Sequence, residues 1–239
     1  MILAGVDEAG RGSVLGPLVV AGVSIEESRV KKLVELRVKD SKLLTPKMRN
    51  KLNREIRKLA DHVSISKVAP GTIDEFVMNG TRLFRLNYLE ARHMAIVLSR
   101  LKFDCAYVDC CDTDQERFGN LIWDLLQDGV KPRTLKQTRR ESTQSKIKSE
   151  HFADRNHPVV SAASIVAKVE RDNCIRKLHR DHGPFGTGYP SDPETVQFLR
   201  GFFLRSEKLP EFTRVSWKTV GRLNEEFNRA PTMDDFSKC

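Results

Sequence analysis

Two short apolar segments end on acid. Ile2 to Val6 runs straight into Asp7-Glu8, and Cys105-Ala106-Tyr107-Val108 runs into Asp109. Short runs rich in β-branched and aromatic residues read as strands, so both segments predict strands that close on carboxylates. Adjacent strand residues face opposite sides of a sheet, so Asp7 and Glu8 can converge only where their strand turns. Gly10, Gly12 and Gly16 follow and supply that turn. If the two strands run parallel, their acids share one rim, where α/β sheets place their ligands. On these residues alone an alternative stays open, in which one carboxylate caps the turn and the other is solvated.

The remaining pattern alternates strands with helices. Pro17 to Ile25 and His62 to Val68 read as strands. Thr45 is a good N-cap with Pro46 at the first helical position, and Met48, Leu52, Ile56 and Leu59 follow at helical spacing. Leu83 to Leu101, Phe118 to Leu126, Ser161 to Leu178, Val196 to Phe203 and Val220 to Phe227 predict further helices. Such alternation argues an α/β fold with helices covering a mixed sheet. Lys131 to His151 is polar and basic and reads as a solvated insertion adding nonspecific attraction for polyanions. Residues 230–239 read as a flexible tail.

Composition narrows the function. The chain of 239 residues carries 41 Lys and Arg against 32 Asp and Glu, a net charge of +9, which favours polyanionic partners. Its longest apolar stretch, Leu18 to Val23, is far below the ~20 residues that span a bilayer. No basic residue precedes Met1 to Val6, so a signal peptide is not expected. Five cysteines without a CxxC pair predict neither a disulfide framework nor a zinc site, and a reducing cytoplasmic setting is expected. Gly10, Gly12 and Gly16 miss the dinucleotide spacing because Leu15 holds the third glycine position, and no P-loop Lys follows.

Asp154 precedes a segment of small residues, Ser161-Ala162-Ala163-Ser164, suited to close packing of a helix on a sheet. Asp7, Glu8, Asp109 and Asp154 are hard oxygen donors that suit Mg²⁺ or Mn²⁺ over zinc. Two such ions about 3.5–4 Å apart could drive phosphodiester hydrolysis. Asp112 and Asp114 compete by proximity but read as helix-capping residues, and Cys110-Cys111 as structural. Lys168 and Arg171 share a helix face, either solvated or a row of phosphate contacts. His179 and His182, near a helix end, favour its dipole or water.

Five motifs together carry a family resemblance. Asp7-Glu8-Ala9-Gly10-Arg11-Gly12, Asp40-Ser41-Lys42, Tyr107-Val108-Asp109, Asp154 with Pro158 to Ile165, and Gly188-Tyr189-Pro190-Ser191-Asp192-Pro193 resemble type 2 ribonuclease H, ribonuclease HII. The last motif and Arg214 to Thr219 are closer to its archaeal and eukaryotic branch. The resemblance implies a ribonuclease H-like fold, a mixed five-stranded sheet flanked by helices, with a helical C-terminal part. It implies a catalytic domain over 1–190, a packed helical part over 191–229 and the tail beyond. An endonuclease is implied that cuts RNA in RNA–DNA hybrids and incises 5′ to single ribonucleotides in duplex DNA with two ions. Asp7, Glu8, Asp109 and Asp154 match the metal-binding carboxylates. Gly10, Arg11 and Gly12 match the loop that senses the 2′-OH, Tyr189 the tyrosine that stacks on the following sugar, and Lys42 a phosphate contact.

The tail also resembles the end of a sliding-clamp binding motif, with Met233 and Phe236 at its aliphatic and first aromatic positions. Ala230 replaces the glutamine and Ser237 the second aromatic, so at most a micromolar interaction, about −8 kcal/mol, is expected.

Overall fold

The chain places a carboxylate-bearing strand at the centre of its sheet. β1 (Ile2–Ala9) turns through the glycine loop into β2 (Leu18–Glu26), buried at every residue but the last. A short helix α1 (Val30–Glu35), then α2 (Pro46–Leu59), lead to β3 (His62–Val68). The helices α3 (Pro70–Asn79) and α4 (Arg85–Leu98) precede β4 (Cys105–Asp109), and α5 (Gln115–Gln127) precedes β5 (Ile147–Glu150). One turn of helix, α6 (Ala153–Asn156), opens into the 25-residue α7 (Pro158–His182), and α8 (Pro193–Leu204) and α9 (Lys218–Asn228) complete the order. This computed structural model describes residues 1–38, 44–79, 85–129 and 146–228.

The described strands form one mixed sheet in the order β3-β2-β1-β4-β5. β1 pairs antiparallel with β2 and parallel with β4, with Val6 beside Val108. That parallel register carries Asp7 and Asp109 to the same rim, as the strand-end acids predict. On one face of the sheet, Ala21, Val23 and Ile25 pack against α7 and α2. On the other, Ala4, Val6, Ala106 and Val108 pack against α4 and α5.

Gly5 explains how α7 comes so close. A Cβ there would lie 2.3 Å from the Val159 carbonyl carbon, so only glycine lets the first turn of α7 rest on β1. Ala162 and Ala163, fully buried, extend the same close contact. The small-residue run thus works as sheet packing.

A separate apolar cluster joins the glycine loop to the C-terminal helices through Val14, Leu15, Ile175, Phe185, Leu199 and Phe212. Two buried charges tie the same region together. Arg214, with 0% exposure, donates to the carbonyls of Gly16 (3.1 Å) and Arg11 (2.9 Å). Asp74 on α3 accepts from the amides of Val215 and Ser216, each at 2.9 Å.

Several boundaries differ from the sequence pattern. α2 starts as predicted, with Thr45 Oγ1 accepting from the Met48 amide at 3.3 Å. The helix predicted to reach Leu101 stops at Leu98, because the Arg100 and Leu101 amides bond three residues back and turn the chain toward β4. α7 starts at Pro158, since proline suits a first helical position, where no amide donor is needed. Part of the basic insertion is not a loop: residues 147–150 form β5, whose Ile147 is buried beside Ala106. His179 and His182 lie in the last turn of α7, as expected, and each makes a further contact there. His179 Nε2 bonds the Gly186 carbonyl at 2.8 Å, and His182 packs on Phe212.

Replacing Gly5 by alanine should cost about 3 kcal/mol, the upper end for overpacking, because the obstacle is backbone and cannot rotate away. The midpoint of urea unfolding, compared with that of the parent chain, checks this.

Candidate active site at the rim of the parallel strands

β1 runs two residues past Asp7, which pairs with Ala21 of β2 and is 5% exposed. Its Oδ1 accepts from the Glu8 amide at 2.7 Å, and Ser164 on α7 hydrogen-bonds its side chain. Burial and the neighbouring Asp109 push the Asp7 carboxyl up to about 7, although Ser164 and Lys168 pull the other way. Lys168 Nζ donates to Ser164 Oγ at 2.7 Å, so α7 delivers a hydroxyl and an ammonium to the same acid. Lys168 therefore belongs to the acid cluster.

Glu8 is pushed well above the usual carboxylate range by burial, then by Asp7, Glu90 and Asp109. Asp109 Oδ1 accepts from the Ala153 amide at 2.7 Å. That contact depends on Phe152, whose φ of 58° is left-handed and reverses the chain into α6. Asp154 follows on α6, and its carbonyl accepts from Ser161 Oγ. Asp7, Glu8 and Asp109 therefore lie within each other's fields, and Asp154 stands next in the chain to Ala153, whose amide Asp109 holds. Among the described residues no three His, Cys, Asp or Glu side chains form a ready-made ligand group. The donors nonetheless suit a hard cation: Glu8 Oε2 and Asp154 Oδ1 are buried and have no hydrogen-bond partner.

Beyond the acids, Gly10 has φ 88°, and a Cβ there would sit 2.5 Å from Arg171 Nε. At Gly12 a Cβ would meet nothing within 4 Å, so packing does not require glycine and the space is open to a ligand. Arg11 lies between these two glycines. Its guanidinium turns away to Glu90, with Nε 2.9 and 3.0 Å from the two carboxylate oxygens, and Nη2 bonds Asn87 Oδ1 at 2.7 Å. Its part is to anchor the turn, leaving the backbone as the turn's polar surface.

Tyr189 stands on a loop whose other residues are structurally occupied. Asp192 caps α8 and accepts from the Thr187 amide (2.6 Å) and hydroxyl (2.7 Å), and the Gly188 carbonyl accepts from Val14 and Leu15. The turn and Tyr189 line one cleft of about 390 Å³ with Glu8, Arg49, Lys168 and Arg171. Asp114 caps α5 as predicted, while Asp112 receives Asn87 and pairs with Arg117. Lys42 and its Asp40-Ser41 neighbours lie outside the described residues.

Glu90, Asn87, Arg49 and Arg214 were not legible as site residues. Asn87 and Glu90 share a face of α4 at i, i+3, the only local signal they carry.

The sequence model of the family "Ribonuclease HII" matches residues 4–220. The chain belongs to the ribonuclease HII family. Ribonuclease HII of Cenarchaeum symbiosum (strain A) is 44% identical over 218 residues, which cover 91% of this chain and 96% of that protein. The crystal structure of ribonuclease H2 from Pyrococcus horikoshii OT3 superposes with a TM-score of 0.82 at 38% identity, covering 96% of this chain and 100% of that one. The PCNA:RNase HII complex from Archaeoglobus fulgidus gives 0.77 at 38% identity, over 98% and 100%. The mixed sheet is thus a ribonuclease H-like fold, and this ribonuclease HII is a metal-dependent endonuclease acting on the RNA of RNA–DNA hybrids. No described helix is long and apolar enough to cross a membrane.

A divalent ion held at this rim would compete with the protons on Asp7, pushed up to about 7, and on Glu8, raised too. Affinity for Mn²⁺ should therefore rise with pH through neutrality, by up to about tenfold per unit for each proton displaced. Calorimetry in buffers of different ionisation enthalpy checks this, with proton release largest on the acid side.

Proposed function

We propose that this ribonuclease HII also incises on the 5′ side of a single ribonucleotide embedded in duplex DNA. Asp7, Glu8, Asp109 and Asp154 would hold two ions, Mg²⁺ or Mn²⁺. The observation that carries the reading is the shared cleft: Glu8 of the acid rim, the open Gly10–Gly12 turn and Tyr189 line one space. When bound, the ions would supply Lewis acidity at the scissile phosphate and positive charge for the departing 3′-oxygen.

The chain's own groups do the rest. A 2′-OH is both donor and acceptor and alone distinguishes a ribonucleotide from DNA. Backbone N–H and C=O groups of the glycine turn can meet both roles at close range, because no side chain intervenes. The Tyr189 ring offers a flat face to the next sugar. Lys168 brings positive charge to a strand that must approach four acids, while Arg49, which also lines the cleft, is paired with Asp172 at 2.7 Å. Lys42 is kept as a proposed phosphate contact on family resemblance.

One assay tests the reading. A duplex with one ribonucleotide, an all-DNA duplex and an RNA–DNA hybrid are incubated with Mg²⁺, Mn²⁺ or EDTA. Cleavage is expected on the first and third only, and none with EDTA. Asp7→Asn and Asp109→Asn should each lower turnover by about three orders of magnitude or more with binding retained. Tyr189→Ala should reduce cleavage at the single ribonucleotide more than cleavage of the hybrid. Equal cutting of the all-DNA duplex would end the ribonucleotide-sensing claim.

A sliding clamp is the proposed protein partner, through residues 230–239, which lie outside the described residues. Support comes from the motif resemblance and from the clamp complex of the Archaeoglobus relative. A cytoplasmic setting is part of the same proposal; Cys105, Cys110, Cys111 and Cys174 are free thiols. Calorimetry with the host clamp should detect weak binding by the full chain and none by a variant ending at Arg229, whose nuclease activity on naked duplex stays unchanged.

A further inference from the structure

Arg171 touches both halves of the proposed ribonucleotide sensor. It lies on α7 with 5% exposure, between the glycine turn and the Tyr189 loop. Its guanidinium carbon is 4.5 Å from the centre of the Tyr189 ring, and its Nη2 donates to the Thr187 carbonyl at 3.0 Å. Its Nε is buried without a partner, and Nε and Cδ fill the space where a Gly10 Cβ would stand, 2.5 and 2.6 Å away. A buried guanidinium is costly unless its surroundings are well matched. Here they are one carbonyl, one aromatic face and the back of the glycine turn.

Backbone bonds already join the two loops, from the Val14 and Leu15 amides to the Gly188 carbonyl. Those bonds hold the peptide chain but leave the Tyr189 ring free to rotate about its side-chain torsions. What fixes the ring's pitch is whatever lies against its face.

We propose that Arg171 is a positioning residue for ribonucleotide recognition, setting the Tyr189 ring at a fixed distance and pitch from the Gly10 turn. This inference rests on the reading of the turn and Tyr189 as the junction sensor. The cation holds one face of the ring electrostatically and leaves the other for the sugar. A hybrid presents a 2′-OH at every step of its RNA strand, whereas a lone ribonucleotide presents one. A ring of uncertain pitch therefore penalises the lone ribonucleotide more.

The test is a double-mutant cycle on the full chain: parent, Tyr189→Ala, Arg171→Met and the double variant, with Arg171→Lys as the conservative exchange. The quantity read is the ratio of kcat/KM on the single-ribonucleotide duplex to that on the hybrid, with the melting temperature measured alongside. Arg171→Met should lower the ratio about tenfold, as expected for loss of a desolvated cation–ring contact. Arg171→Lys should restore part of it. In the Tyr189→Ala background Arg171→Met should lower the ratio no further, because both act through one ring.

An unchanged ratio for Arg171→Met overturns the inference. An additive fall in the double variant does so too, since Arg171 would then contact the substrate itself. Should Arg171→Met fail to fold, the cycle with Arg171→Lys makes the same comparison. If Tyr189→Ala leaves the ratio at the parent value, the junction reading fails and takes the inference with it. If Tyr189→Ala lowers the ratio and the Arg171 variants do not, the inference alone fails.

Discussion

Parallel pairing of β1 with β4 sets Val6 beside Val108, and the acids of the site take their places from that register. Asp7 and Asp109 are the next residues on two neighbouring strands, so their carboxylates reach one rim without any loop having to fold around them. α7 meets the same strand from one side, resting its first turn on Gly5 and bringing Ser164 and Lys168 to Asp7. Asp109 in turn holds the Ala153 amide, which fixes the start of α6 and the place of Asp154. One strand pair therefore organises three separate segments of chain.

The electrostatic consequence is a buried cluster of like charges, which by itself opposes folding. Asp7 and Glu8 are both driven toward the neutral form, first by burial and then by their acidic neighbours. Two devices temper this. Lys168 reaches Asp7 from α7, and Arg11 pairs with the fully buried Glu90 and passes through Asn87 to Asp112 and Arg117. Carboxyls held in a disfavoured state at a cleft are a common mark of a site built for another charged group.

Much of this architecture is legible along the chain, and the parts that are not share a cause. β3 spans His62–Val68 as its alternation predicts, and α2 begins at its Thr45 cap, because both signals are local. β5 escapes such reading: Ile147 is its only apolar residue, and the free edge of β4 makes it a strand. The run Ser161 to Ser164 is buried as close packing requires, yet the glycine that admits the turn just before it, Gly5 against Val159, lies far away in sequence. His179 and His182 carry no motif, and their roles come from Phe185 and Phe212 in a cluster assembled by the C-terminal helices.

What the sequence determined by itself was the kind and order of the chemical groups. Acids at strand ends, glycines in the turn after Glu8 and a tyrosine after Gly188 are properties of short segments, and their hard donors select the class of cation. Only the tertiary structure decided which partner each side chain meets. Arg11 sits between two glycines of the turn, but Glu90, 79 residues away, decides where its guanidinium goes. Arg214 reaches the Arg11 carbonyl across 203 residues and holds the turn from beneath. Arg171 and Lys168 share a helix face, yet one supports Tyr189 and the other faces Asp7. Periodicity assigns a residue to a face; sheet order and helix packing decide what that face touches, since those contacts join segments that no local pattern connects.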